Sequence, residues 1–350
     1  MLKLLETLCS LRGVSSDEGP VRDFIRARLE PVCEVKEDPV GNLIAVRRGL
    51  PKPKNKIALF AHMDEVGVMV TRITEEGLLK FSPIGIDPRV LHGRGVLVGP
   101  KGLPGVIGGK AWHHLTAAER DAKPSADGYY IDIGASSAGE ARAEVSPGDT
   151  AAFDEPFRRL GGETVASRAL DNRIGCAMLI RLLESDLPFE ATGCFTVCEE
   201  SGLLGAAAAA FSAAPDAAVI LETTTAGDVD GAPAEKTVCR VGAGPVVSFA
   251  DNGTLYDREF YRLAFDLAAK NGIKIQTKEG VFGGNEARAV TRSRGGVRTI
   301  AQSVPCRYLH SASCVASLGD HAGSERLLHA PLPAPAGRWS PPAQRPRRPP

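Results

Sequence analysis

Hydrophobic and polar positions follow two rhythms along this chain. Val21, Phe24, Ile25 and Leu29 recur at the i, i+3, i+4, i+8 spacing of a core-facing helix. Ser15 and Glu18 match a capping box ahead of it, and Pro20 suits its first turn. Residues 42–46 and 56–61 predict strands, the second through the continuous apolar run Ile57-Ala58-Leu59-Phe60-Ala61 of a strand covered on both faces. From residue 171 helix and strand alternate: helix 171–184, strand 193–198, helix 203–213, strand 217–221. Phe260, Leu263, Ala264, Leu267 and Ala268 mark a further amphipathic helix, stopped by Asn271-Gly272. Such alternation predicts an α/β sheet with helices on both faces. Residues 67–160 differ in texture. Short strand-like pieces at 67–73, 95–98, 105–107 and 129–133 are split by Gly and Pro, which predicts a small β-rich module inserted into the α/β domain.

The 350 residues suffice for one large domain or two smaller ones. Lys plus Arg and Asp plus Glu number 42 each, and this balance speaks against a dedicated nucleic-acid binder. No apolar run approaches the ~18 residues of a membrane span. Residues 1–11 carry Lys3 and Glu6 at helical spacing and predict a short amphipathic helix, not a signal peptide. Eight scattered cysteines without a CxxC pair read as free thiols of a reducing cytoplasm. The last 20 residues hold eight prolines, four arginines and no acid, the composition of a disordered tail.

Candidate chemistry lies at strand ends. His62 and Asp64 in Ala61-His62-Met63-Asp64-Glu65 close an apolar strand, where ligands of open α/β sheets gather. Two residues apart, they could face one site, with the carboxylate orienting the imidazole. A solvated strand end is the plain alternative. Asp171 in Ala169-Leu170-Asp171-Asn172-Arg173 could equally be a helix N-cap. Glu199 and Glu200 follow another apolar strand. Adjacent carboxylates repel unless a cation or a proton compensates, and consecutive strand residues point apart. If both serve one site, the backbone must leave the extended form there; otherwise they form an exposed acidic turn. Glu222 closes residues 217–221, and His310 sits near the end of the ordered chain, where a lone histidine is commonly structural. Together, two imidazoles and several carboxylates form a ligand set for two divalent ions of the zinc, cobalt or manganese type.

With these motifs in order, the chain resembles the dinuclear-metal aminopeptidases of the glutamyl aminopeptidase and TET-type group, also called endoglucanase M. AHMDEVG, ALDNRIG, CEESGLLGA and PCRYLHS match in order and spacing, and PRVLHGRGVLVG, YYIDIGASS and SPGDTAAFD resemble the group's inserted domain. The resemblance covers residues 4–320. It implies a mixed sheet flanked by helices, zinc-exopeptidase-like, with a small β-rich insertion. Residues 1–66 and 161–324 would form the catalytic domain, 67–160 the dimerisation domain, and 325–350 the disordered tail. It implies two metals, one held by His62 and Glu222, the other by Glu200 and His310, with Asp171 bridging them. Glu199 would be the general base and acid, and Asp64 would orient His62. The peptide between Asp171 and Asn172 would be cis. Arg307-Tyr308 and Gly283-Gly284-Asn285 would shape the site. The implied activity removes N-terminal residues from short peptides, in a cytoplasmic homo-oligomer of dimers building to a dodecamer, with no nucleic-acid or membrane partner.

Two departures stand out. The position of Glu222 usually carries Asp, one methylene shorter. The group's closing helix after His310, rich in Leu and acids, is not legible where Leu318-Gly319-Asp320 gives way to Gly323-Ser324-Glu325. Another amide or N-acyl hydrolase on this scaffold, or an assembly protein with an impaired site, are the alternatives. A glycosidase would need two carboxylates across a sugar and no metal, and the two histidines speak against it. His92, His113, His114, His321 and His329 are expected at the surface, and Cys194 with Cys198 in the core.

Overall fold

A computed structural model describes residues 1–330. The strand Ile57–His62 lies inside an eleven-stranded mixed sheet. Its neighbours on either side are Ala191–Thr196 and Ala217–Thr225, and Arg298–Arg307 follows the latter; these four run parallel. The outer strands, Glu34–Glu37 and Leu43–Arg47 on one side, Cys314–Ser317, Thr164–Ser167 and Arg158–Leu160 on the other, pair antiparallel.

The apolar run of Ile57–His62 is explained by burial on both faces. Leu59 and Ala61 pack with the helices Leu2–Ser10, Gly19–Leu29 and Leu170–Glu184. Ala58 and Phe60 point the other way, toward Leu204–Ala213, Arg258–Lys270 and Ala287–Thr291. The period-2 alternation of a strand thus serves two cores.

The inserted segment forms a closed six-stranded barrel in the order Gly67–Ile73, Leu79–Ile84, Tyr129–Asp132, Leu103–Gly109, Gly95–Val98 and Thr150–Phe153. Val68, Val70, Leu79, Ile107, Ile131 and Phe153 fill it. Closure leaves no unpaired edge.

Several local expectations are corrected. The helix Gly19–Leu29 has Pro20 in its first turn but no capping box. Ser15 Oγ donates instead to Asp64 Oδ2 at 2.6 Å, and Glu18 Oε1 accepts the Ser16 and Cys198 N–H groups at 3.0 and 2.9 Å. The strand expected over 193–198 ends at Thr196. Cys198 adopts φ +55° outside it and is only partly buried, so it does not share a strand face with Cys194.

The closing helix is present as Leu318–Leu328, running into the segment assigned to the tail; residues 331–350 lie outside those described. Polar anchoring replaces the leucine pattern. Ser317 Oγ accepts the Gly319 and Asp320 N–H groups, Asp320 accepts those of Gly242 and Gly244, and Gln302 donates to Ser324 Oγ at 2.6 Å. His321 on this helix is buried, 1% exposed, contrary to a surface role. His92, His113, His114 and His329 are exposed.

Candidate metal centre

The parallel strands deliver their chemistry at one end. His62 is the last residue of its strand. The strand Ala191–Thr196 stops, and the chain turns so that Glu199 and Glu200 both come to the same place. That turn is held by three carbonyl-type acceptors: Asn42 Oδ1 takes the Val197 N–H, Glu18 the Cys198 N–H, and Asp64 the N–H groups of Glu199 and Glu200. Glu222 projects from within Ala217–Thr225, and His310 follows Arg298–Arg307 in a loop at φ +56°. Asp171 opens the helix Leu170–Glu184 with non-helical backbone and a cis peptide to Asn172. It does not cap the helix. Its carboxylate faces the other groups, with Oδ1 accepting the Thr223 hydroxyl at 2.7 Å.

Asp171 divides its two oxygens between two clusters. His62 Nε2 lies 3.5 Å from Asp171 Oδ1 and 3.6 Å from Glu222 Oε2. His310 Nε2 lies 3.7 Å from Asp171 Oδ2 and 3.4 Å from Glu200 Oε2. These separations exceed those of direct hydrogen bonds. They match the ~3.3 Å expected between two ligands each ~2.0–2.1 Å from one tetrahedral ion. His62 with Asp171 and Glu222, and His310 with Asp171 and Glu200, are each compact enough to hold an ion. Glu200 Oε1 and Glu222 Oε1 are buried without a hydrogen-bond partner, which an ion would remedy. The donor set of the described residues fits two divalent ions.

Asp64 stands behind His62, with Oδ1 3.3 Å from its Nδ1. Glu65 turns away and pairs with Arg168 and Arg173, tying the strand end to the first helix, so its role is structural.

The electrostatics follow from crowding acids in a buried place. Burial, and then the neighbouring carboxylates, push Glu199 and Glu200 well above the ordinary carboxylate range. Burial also raises Glu222. Burial would lower His62, but the carboxylates of Glu222, Asp171 and Asp64 outweigh it and hold the imidazole well above its usual value. Each group reports an excess of negative charge that a cation would relieve.

A cavity of about 440 Å³ opens over these residues. Gly283, Gly284 and Asn285 line it as expected, whereas Arg307 and Tyr308 do not. Arg307 is paired with Asp228 at 2.8 Å, and Tyr308 is exposed. Three contributions were not legible in the sequence. Gly85 and Asp87 reach the cavity from the end of the barrel, and Lys278 from beside the sheet. Gly85 is required to be glycine: at φ +64° a Cβ would stand 2.6 Å from Glu200 Oε2. Its place after an apolar strand was a faint signal; Lys278 had none.

The description M42 glutamyl aminopeptidase matches residues 41–327. The chain is 32% identical to the lysyl aminopeptidase of Pyrococcus furiosus over 94% of its own length and 96% of that protein. It is 29% identical to the glutamyl aminopeptidase of Lactococcus lactis, over 93% and 94% of the two chains. The TET1 peptidase of Pyrococcus horikoshii, described as assembling into a tetrahedron or a large octahedral shell, superposes with a TM-score of 0.82 at 35% identity, over 94% and 98%.

Proposed function

The chain belongs to the M42 glutamyl aminopeptidase family, metallopeptidases that hydrolyse peptide bonds, and from that premise we propose that it removes N-terminal residues from short peptides with two divalent ions. The observation that carries this reading is the split of the Asp171 carboxylate, one oxygen toward His62 and Glu222, the other toward His310 and Glu200.

In this reading His62 and Glu222 hold one ion, Glu200 and His310 the other, and Asp171 joins them. Nitrogen and oxygen donors suit zinc, cobalt or manganese. Bound there, such ions supply Lewis-acid polarisation of the scissile carbonyl and a water of lowered pKa. The protein's own residues do the rest. Glu199 takes the proton of the attacking water and returns it to the nitrogen of the leaving amine. Its raised pKa suits a group that must both accept and release a proton near neutrality. Asp64 engages His62 on the Nδ1 side, which keeps Nε2 turned toward Asp171 and Glu222. The acidic surroundings favour a free, charged α-amine, which restricts cleavage to the first residue. Glu222 in place of the usual Asp lengthens one ligand by a methylene and alters affinity without removing the site.

We also propose that the barrel pairs subunits and that the pairs build a larger shell. Trp112, 66% exposed, and Val106, 53% exposed, give the barrel an apolar outer face.

The test is product analysis of mixed peptides, free and N-acetylated, with cobalt- or zinc-loaded protein, with and without chelator. Chelator-sensitive loss of single N-terminal residues from free peptides alone is the expected result. Cleavage of acetylated peptides would make the chain another amide hydrolase. No cleavage with any metal would overturn the reading.

A further inference from the structure

The cavity over the metal centre contains a cation that the protein leaves unmatched. Lys278 follows the short strand Gln276–Thr277, and its backbone N–H is fixed to Val247 O at 3.0 Å. Its side chain lines the cavity and is buried, with the residue only 7% exposed. Among the described residues its ammonium makes no hydrogen bond and no ion pair. It is also the one lysine or arginine among the residues lining the cavity.

The acids around it are already engaged. Asp251, whose charge acts on Lys278, accepts the Tyr256 hydroxyl at 2.5 Å and the Gly253 N–H at 2.8 Å. Asp87, on the cavity wall, is tied to Arg89 at 2.7 Å. The other carboxylates lining the cavity, Asp171, Glu199 and Glu222, belong to the metal centre. A buried ammonium without a counter-ion costs free energy, and burial accordingly pushes Lys278 below its usual value. The cost is recovered when an anion enters.

We propose that Lys278 is a specificity-determining residue that pairs with the side-chain carboxylate of an acidic N-terminal residue, Glu or Asp, of the substrate. This rests on the aminopeptidase reading and names the substrate class of that site. Family membership does not decide the matter, since relatives of similar identity are named lysyl and glutamyl aminopeptidases. Here the sign of the cavity charge decides. A neutral side chain leaves the ammonium buried and unpaired, and a basic one adds repulsion. Thr224, Thr225 and Ser303, which also line the cavity, add hydroxyl donors for the same carboxylate.

The experiment measures kcat/KM for Glu-, Asp-, Leu- and Lys-p-nitroanilide with the cobalt-loaded protein and with Lys278→Met and Lys278→Glu. Calorimetric binding of free L-glutamate and L-leucine serves as a readout independent of turnover. Wild type should prefer Glu or Asp. Lys278→Met should lower the Glu-to-Leu ratio on the order of 100-fold, with L-glutamate binding weakened in parallel. Lys278→Glu should move the preference to Lys. Preferential hydrolysis of Leu by the wild type, or a Glu-to-Leu ratio that Lys278→Met leaves unmoved, would overturn the inference while the aminopeptidase reading stands. Selective L-glutamate binding with no hydrolysis of any substrate would overturn the reading and support Lys278 as an acid-binding group.

Discussion

Asp64 accepts the backbone N–H groups of both Glu199 and Glu200, each at 3.0 Å, one on each carboxylate oxygen. The same carboxylate takes the Ser15 hydroxyl at 2.6 Å and faces His62 Nδ1 at 3.3 Å. One side chain thus sets the imidazole and the two acids relative to each other. Asp64→Asn offers a single acceptor oxygen where several donors converge. Metal affinity should fall about 10–100-fold, measured by titration against a competing chelator dye, with a parallel fall in kcat. Unchanged affinity would separate Asp64 from the centre.

Glu199 is assigned proton transfer and not ligation. Glu199→Gln should therefore keep both ions, by elemental analysis, and lose about 100- to 10,000-fold in kcat. Equal activity would sink the assignment of the base.

The two halves of Asp171 serve different clusters, so an amide there should be felt as stoichiometry. Asp171→Asn should bind fewer ions per subunit than wild type at equal free zinc. Stripping the wild type with chelator should lower its melting temperature, because the acids lose their compensation. Ligand saturation at ~100 times Kd is worth about 2.7 kcal/mol. A melting temperature indifferent to metal would mean that the acid cluster is relieved by protons alone.

Acid should weaken the closing helix through His321. Burial, with Arg181 nearby, pushes its pKa down to about 4 in the folded protein, against 6.5 for the free side chain. Between these values the unfolded chain holds more protons, so stability falls as pH drops through that window, by about 1.4 kcal/mol per unit. His321→Gln should flatten this slope in urea titrations at pH 7, 6 and 5. Superimposable slopes for the two proteins would show that His321 does not titrate in a buried place.

The sites of chemistry were legible because they sit at the ends of continuous apolar strands. His62 and Glu222 could be read from position alone, and Glu199-Glu200 from the repulsion that adjacent acids must relieve. What could not be read depends on partners far along the chain. Ser15 looked like a helix cap because its actual acceptor, Asp64, lies 49 positions away. His321 looked like a surface residue because the helix that buries it is stapled by Ser317, Asp320 and Ser324 in place of a leucine stripe. Lys278 looked like any charged loop residue, since only the folded cavity makes it buried.

The order of strands also bears on how the chain is made. Ile57–His62 lies between two strands that occur far later in sequence, Ala191–Thr196 and Ala217–Thr225. During synthesis it therefore emerges with both neighbours still missing, while the barrel, built from pairings within its own segment, can close by itself. Parallel pairings over such long separations form slowly. The strand that ends in His62 waits exposed through much of translation, and this sticky apolar run is where the nascent chain most needs a chaperone.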